Sequence, residues 1–209
     1  MNHVRLIRLT ARNFKGIREF SLDARGLDVS VYGDNATGKT TLFDAFLWTL
    51  FDKDSENKTD FAIKTLDKDG NAIHGLEHEV EAVLDVGGKT VTLRKVFKEK
   101  WTKKRGSAKA EFSGHTTDYF VNGVPVKQKE YKERVAEIVD EDVFKLLTNP
   151  SFFNEQLKWQ ERRRILIEVC GDVSDQDVID SNKALAILPE ILNGNTVDEH
   201  KRIVAERMK

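Results

Sequence analysis

A lone cysteine, Cys170, excludes an internal disulfide and has no companion for a structural zinc site, which fits a reducing compartment. Three prolines and 13 glycines in 209 residues are too few for a collagen-like chain, and 39% hydrophobic residues are too many for a wholly disordered one. No apolar run approaches the roughly 18 residues that a bilayer helix needs, and Met1-Asn2-His3-Val4-Arg5 lacks the apolar stretch of a signal peptide. The expectation is a cytoplasmic protein with no membrane partner. Net charge is small as well: 34 basic and 35 acidic side chains leave −1, which gives no global argument for nucleic acid.

The near-zero sum hides an uneven distribution. Between Lys89 and Lys109 nine basic residues face one acid, Glu99, so this stretch is +8 and the remainder −9. A block of one sign makes a surface that attracts phosphates, and Lys98, Lys100, Lys103, Lys104 and Arg105 are its candidate DNA contacts. A solvated hairpin is the competing reading of the same residues.

Hydrophobic periodicity organises the chain. Val4, Leu6 and Leu9, then Phe20 and Leu22, read as two short strands around Lys15-Gly16. Leu27, Val29 and Val31 alternate with Asp28 and Ser30, which predicts a third strand ending at Gly33. From Lys39 the period changes, and Leu42, Ala45, Phe46, Thr49 and Leu50 share one face of a helix. Val80 to Val86 and Val91 to Phe97 flank Gly87-Gly88 as a hairpin, and Tyr119 to Val124 adds a strand with an Asn122-Gly123 turn. From Lys129 the pattern is helical up to Gly171. Thr196 with Glu199 forms a capping-box pattern that opens a polar helix still running at Lys209.

Gly33-Asp34-Asn35-Ala36-Thr37-Gly38-Lys39-Thr40 fits GxxxxGK[ST] and lies between the predicted strand and helix. Each part of that phosphate-binding loop has a task. The glycines let successive N–H groups turn inward, the helix start adds its positive end, Lys39 supplies a charge for the β- and γ-phosphates, and the Thr40 hydroxyl suits Mg²⁺. The cofactors expected are therefore ATP and Mg²⁺. Two rival motifs fail on context. Asn57-Lys58-Thr59-Asp60 and Asp67-Lys68-Asp69-Gly70 match GTPase NKxD and DxxG in reversed order with no apolar strand before either. His74 and His78 have zinc-pair spacing, but Gly75 opposes the helix this requires, so both read as solvent-exposed loop histidines.

Asn35, Thr41 and Asp44-Ala45 extend the loop to G-x-N-x-x-G-K-T-T-h-h-D-A, with Asn13-Phe14-Lys15-Gly16 upstream. This resembles the amino-terminal ATPase lobe of the SMC, RecF and SbcC group of DNA-repair ATPases, whose heads are ABC-type. Glu161-Arg162-Arg163-Arg164-Ile165-Leu166 resembles the segment after their glutamine loop. The resemblance adds Lys15, Thr41 and Lys64 to the nucleotide contacts, although Lys64 also reads as an ordinary surface lysine. Where the family has its glutamine, this chain has Thr148-Asn149. The resemblance offers Asn149 as a catalytic residue beside Lys39, ligating Mg²⁺ or holding the attacking water; a helix-ending Asn before Pro150 is the other reading.

Such heads also carry a Walker B Asp-Glu pair and a serine-glycine signature, and neither is recognisable here. Ile138-Val139-Asp140-Glu141 has a helical period, and Ser113-Gly114 lacks the second glycine. In the family these parts follow a long coiled coil, of which a helix from Thr196 would be the first turns.

The expectation is an α/β P-loop NTPase lobe, ABC-type, with a mixed sheet, over 1–171, with an antiparallel β subdomain near 78–125, a helical part near 128–171 and a helical extension over 172–209. Its implied partners are a carboxy-terminal ATPase lobe in cis or trans, a second head in an ATP-dependent dimer, DNA and a nuclease subunit. The implied setting is DNA double-strand-break repair or recombination, or a phage-encoded equivalent. A nucleotide-gated dimerisation module or a defence-system ATPase with little turnover alone is the alternative.

Overall fold

Among the described residues six strands meet in one antiparallel sheet, in place of the mixed sheet with a separate β subdomain expected from sequence, because every pairing, hairpin or longer-range, runs antiparallel and β3 joins β1 directly. They are β1 (Val4–Phe14), β2 (Ile17–Asp23), β3 (His78–Val86), β4 (Lys89–Thr102), β5 (Glu111–Val121) and β6 (Val124–Val126), in the spatial order β2-β1-β3-β4-β5-β6. The computed structural model describes residues 3–103, 110–149, 151–171 and 173–208. Two compact units divide the chain, 1–145 and 146–209, whereas the limit expected from sequence lay near Gly171.

In the first unit α1 (Lys39–Phe51) lies on the sheet. Ala45 and Trp48 pack with Leu9, Ala11 and Phe14 of β1 and Val80 and Ala82 of β3. Leu50 joins a second cluster with Leu84, Val91, Leu93 and Tyr131, Val135 and Ile138 of α2 (Gln128–Ile138). Alternation in β3 is regular, with His78, Val80, Ala82 and Leu84 all inward. In β1 the inward set skips from Leu6 to Leu9 because the register with β3 shifts between Leu6 and Arg8, an irregularity that resets the phase of the pleat.

The predicted strand from Leu27 to Gly33 is not formed. Residues 28–34 have no regular structure, with Leu27 73% and Tyr32 89% exposed. A strand needs a neighbour for its ladder. β1 is paired on both sides by β2 and β3, so it offers this segment no free edge.

The chain crosses into the second unit within α3 (Glu141–Thr148). That unit contains a π-helical turn (Phe152–Gln156), then α4 (Trp159–Cys170), α5 (Asp175–Ser181), α6 (Leu188–Leu192) and α7 (Val197–Arg207). Gly171 ends α4 at φ +86, and the Thr196–Glu199 box caps α7 reciprocally. Among the described residues no helix is long and apolar enough to cross a membrane.

Candidate functional site

The glycine-rich loop enters α1 through two left-handed residues, Ala36 at φ 64 and Gly38 at φ 96. Such positions turn N–H groups toward one concavity, and the first turn of α1 adds donors that have no intrahelical partner. No side chain caps that turn and no acid lies in it, so nothing on the helix competes with an incoming anion. A Cβ at Gly33 would sit 2.8 Å from Thr37 Oγ1, so a larger residue there would displace the Thr37 side chain. That hydroxyl donates to the Asp34 carbonyl at 2.8 Å. Lys39 folds back over the loop and donates to the Gly33 and Asp34 carbonyls, 2.6 Å each, which holds its ammonium at the mouth. Thr40 is exposed at the helix start.

A second lysine arrives from the sheet. Phe14 and Ile17 pair across the two-residue loop Lys15-Gly16, both at positive φ, a turn geometry that matches hairpin twist. Lys15, Gly16 and Ile17 thereby line one side of a cleft of about 490 Å³ whose other side is Asn35 to Thr41. Lys15 Nζ donates to Asp44 Oδ2 at 2.7 Å and lies over the Phe61 ring. Asp44, buried on α1, also accepts from the Ser55 N–H at 2.8 Å. One carboxylate thus ties the loop helix to both neighbouring turns.

Lys64 is not among the residues that line this cleft. Its ammonium is 2.6 Å from Glu99 Oε1 on β4. Glu99 also receives His74 Nδ1 at 2.7 Å, the Gly75 N–H at 3.2 Å and the Trp101 indole N–H at 3.2 Å, and the Lys64 ammonium first, then His74 and the Gly75 N–H, hold its carboxyl down at about 2. His78 is not the exposed loop histidine expected from sequence. It is buried as the first residue of β3, bonded through Nδ1 to the Asn13 carbonyl, and burial lowers its pKa. The unfolded chain therefore binds protons that the folded state refuses, at His78 below 6.5 and at Glu99 below 4.5. Both contributions are present at neutral pH and are lost on acidification. Thermal melts should show the midpoint starting to fall near the first value and falling faster below the second, with Glu99→Gln softening only the lower part. A midpoint flat down to the second value contradicts this.

The remaining candidates separate. Lys98 pairs with Asp118 at 2.5 Å, Lys100 and Lys103 are exposed, and Lys104 and Arg105 lie outside the described residues. Asn149 belongs to the second unit, where its Oδ1 accepts from the Ser151 N–H at 3.0 Å in a local turn. The rival motifs are structural: Asp67 Oδ1 accepts from the Asp69 and Asn71 N–H groups, and Asn57 Oδ1 accepts from Lys145. Asp140 caps α3 through the Val143 N–H, and Glu141 is engaged by Lys53 and Lys145.

A family model of an AAA domain (AAA_23) matches residues 8–203. The chain belongs to the AAA domain family. A curated relative, the DNA replication and repair protein RecF of Azobacteroides pseudotrichonymphae genomovar. CFP2, is 33% identical over 91 residues; the match takes in 43% of this chain and spans a quarter of that relative's length. Among solved structures, the Smc head domain with a coiled coil and joint from Pyrococcus yayanosii aligns at TM-score 0.54 and 16% identity, covering 81% of this chain and 32% of that one. A structure from work on ATP-driven dimerization and DNA-stimulated activation of SMC ATPases aligns at TM-score 0.50 and 15% identity, covering 79% and 99%. The expected resemblance to the ATPase lobe of SMC- and RecF-type proteins is borne out, and this AAA domain has the α/β P-loop fold of SMC heads.

Proposed function

We propose that this AAA domain is the ATP-binding half of an SMC- or SbcC-like head in DNA double-strand-break repair or recombination, with hydrolysis completed by a carboxy-terminal lobe. The observation that carries the reading is the cleft between Lys15 and the loop Asn35–Thr41, with Lys39 poised across its mouth. Donors without partners, two ammonium groups and an acid-free helix start suit a triphosphate. Gly33 to Gly38 would cradle the phosphates by backbone, Lys39 and Lys15 would oppose their charge, and Thr40 would hold Mg²⁺ through its hydroxyl. That ion would neutralise charge between the phosphates.

The RecF relative supports a role in DNA repair, and the SMC fold supports ATP-driven pairing of two heads. DNA and a nuclease subunit are the further partners of this reading, and the cytoplasm its compartment. Thr41, which lines the cleft, and Lys64 enter it as further nucleotide contacts, and Asn149 as its candidate catalytic residue.

Calorimetric titration of ATP·Mg tests it. Lys39→Ala removes a charge-assisted contact worth roughly 1.5–3 kcal/mol and should weaken ATP by about one to two decades. Thr40→Ala should matter chiefly when Mg²⁺ is present. Equal affinities for the parent and Lys39→Ala would remove Lys39 from the site and sink the reading.

A further inference from the structure

Five rings run in contact along one face of β3, β4 and β5. His78 meets Phe97 at 6.0 Å between centroids, and Phe97 stacks on His115 at 4.9 Å with planes 17° apart. His115 meets Phe112 edge-on at 5.2 Å, and Phe112 meets Trp101 edge-on at 5.6 Å. The inner end of this ladder is buried at His78. Its outer end is open, with Trp101 51% and Phe112 46% exposed. Neither the fold nor the nucleotide cleft accounts for two large aromatic side chains left in water beside the most basic stretch of the chain.

The outer rings are held in place. Trp101 and Phe112 are direct cross-strand partners, and the register shift between Glu99 and Trp101 brings the indole N–H to Glu99 Oε2. Glu99 is itself clamped by Lys64, His74 and the Gly75 N–H, so an interior carboxylate fixes the pose of an exposed ring. A ring already ordered loses little freedom when a flat ligand stacks on it. Charge selects the ligand. Lys100 and Lys103, both exposed, flank Trp101 in the chain, while Glu99 is neutralised by its own partners and Glu111 lies opposite Thr102. Aromatic faces interleaved with lysines are the elements of a single-strand nucleic-acid platform, in which bases stack and the backbone follows the cations. A duplex keeps its base faces stacked on one another, so the rings gain nothing from it.

We propose that Trp101 and Phe112, with Lys100 and Lys103, form a binding site for single-stranded nucleic acid on the β4–β5 hairpin. This deepens the DNA-acting reading given above and rests on it.

The test is fluorescence anisotropy of a short labelled oligothymidylate on the full chain, with a duplex of equal length as comparison. Trp101→Ala and Phe112→Ala should each weaken the single strand by about fivefold to a hundredfold, the range for loss of one base–aromatic stack. Trp101→Phe should retain most binding yet lose the quenching of indole emission that the parent shows. Log affinity should fall against log salt with a slope of about −0.7 per phosphate met, near −1.4 for two lysines, and Lys100→Glu with Lys103→Glu should remove it. Ring variants that bind like the parent, unquenched emission, a duplex bound as tightly as the strand, or no binding at all would each overturn the inference. ATP titrations on the same variants keep the two readings apart. Trp101→Ala should bind ATP like the parent, and Lys39→Ala should bind the oligonucleotide like the parent. A parent protein that binds ATP but no oligonucleotide sinks only the platform, and one that binds the oligonucleotide but no ATP sinks only the nucleotide site.

Discussion

Alone, the chain should bind ATP and hydrolyse it barely above background, and a carboxy-terminal lobe bearing a Walker B glutamate and a signature motif should raise the single-turnover rate by about a thousandfold or more. The expectation follows from where the carboxylates are. Hydrolysis needs an oriented water and stabilised charge on the γ-phosphate, whereas Asp44, the buried acid of the loop helix, is committed to Lys15 and the Ser55 N–H. Asp140 and Glu141, the nearest sequence likeness to a Walker B pair, are committed to a helix cap and to Lys53 and Lys145. In the proposed reading the cradle would hold a triphosphate, and these acids, engaged elsewhere, would not activate a water over it. Fast hydrolysis by the chain alone, abolished by Lys39→Ala, would show that an internal carboxylate serves and that the half-site account is wrong.

The largest stability effect is expected at Lys95. Its side chain is fully buried, with Nζ 2.6 Å from the Trp48 carbonyl and 2.5 Å from Asp52 Oδ1, inside the rings of Trp48, Tyr119 and Tyr131. Asp52 follows α1 in a left-handed conformation, so this contact fastens the far end of the loop helix to the sheet. Removing one partner of a buried ion pair costs about 3–5 kcal/mol, so Lys95→Ala should lower the melting midpoint by about 10 °C. Lys95→Met combined with Asp52→Asn should recover most of that loss, because it restores volume and leaves no buried charge unpaired. A Lys95→Ala protein as stable as the parent would contradict the account.

Burial lowers the Lys95 pKa to about 8 from its ordinary 10.5, so between those values the unfolded chain holds a proton that the folded chain has shed, and stability should rise with pH. Burial pushes Tyr119 up to about 12 and Tyr131 higher, so above 10.0 the folded state keeps phenol protons that the unfolded chain loses. Urea midpoints should climb above pH 8 and turn down beyond 10.0.

Much of this was legible in the chain before the structure. The loop and its helix announced themselves through glycine spacing and a change of period at Lys39, and the hairpin through Gly87-Gly88. Lys95 carried a signal that went unread: it stands in phase with Val91, Leu93 and Phe97, and the pleat sends every second residue inward. Glu99 offered another, as the one acid among nine bases. Asp44 gave none beyond its place in the family pattern, because its partners come from turns distant in sequence. Leu27 to Val31 failed in the opposite sense. Alternation registers that a segment is suited to pairing, and it cannot register whether a neighbour is at hand.

That segment offers the most direct test of the central proposal, that a carboxy-terminal lobe completes this half of the head. Hydrogen exchange of the amides from Asp28 to Tyr32 should be fast in the chain alone, where they have no regular structure, and slowed by orders of magnitude in a reconstituted head. Amides already protected in the lone chain, or equally fast in a head that hydrolyses ATP, would contradict it.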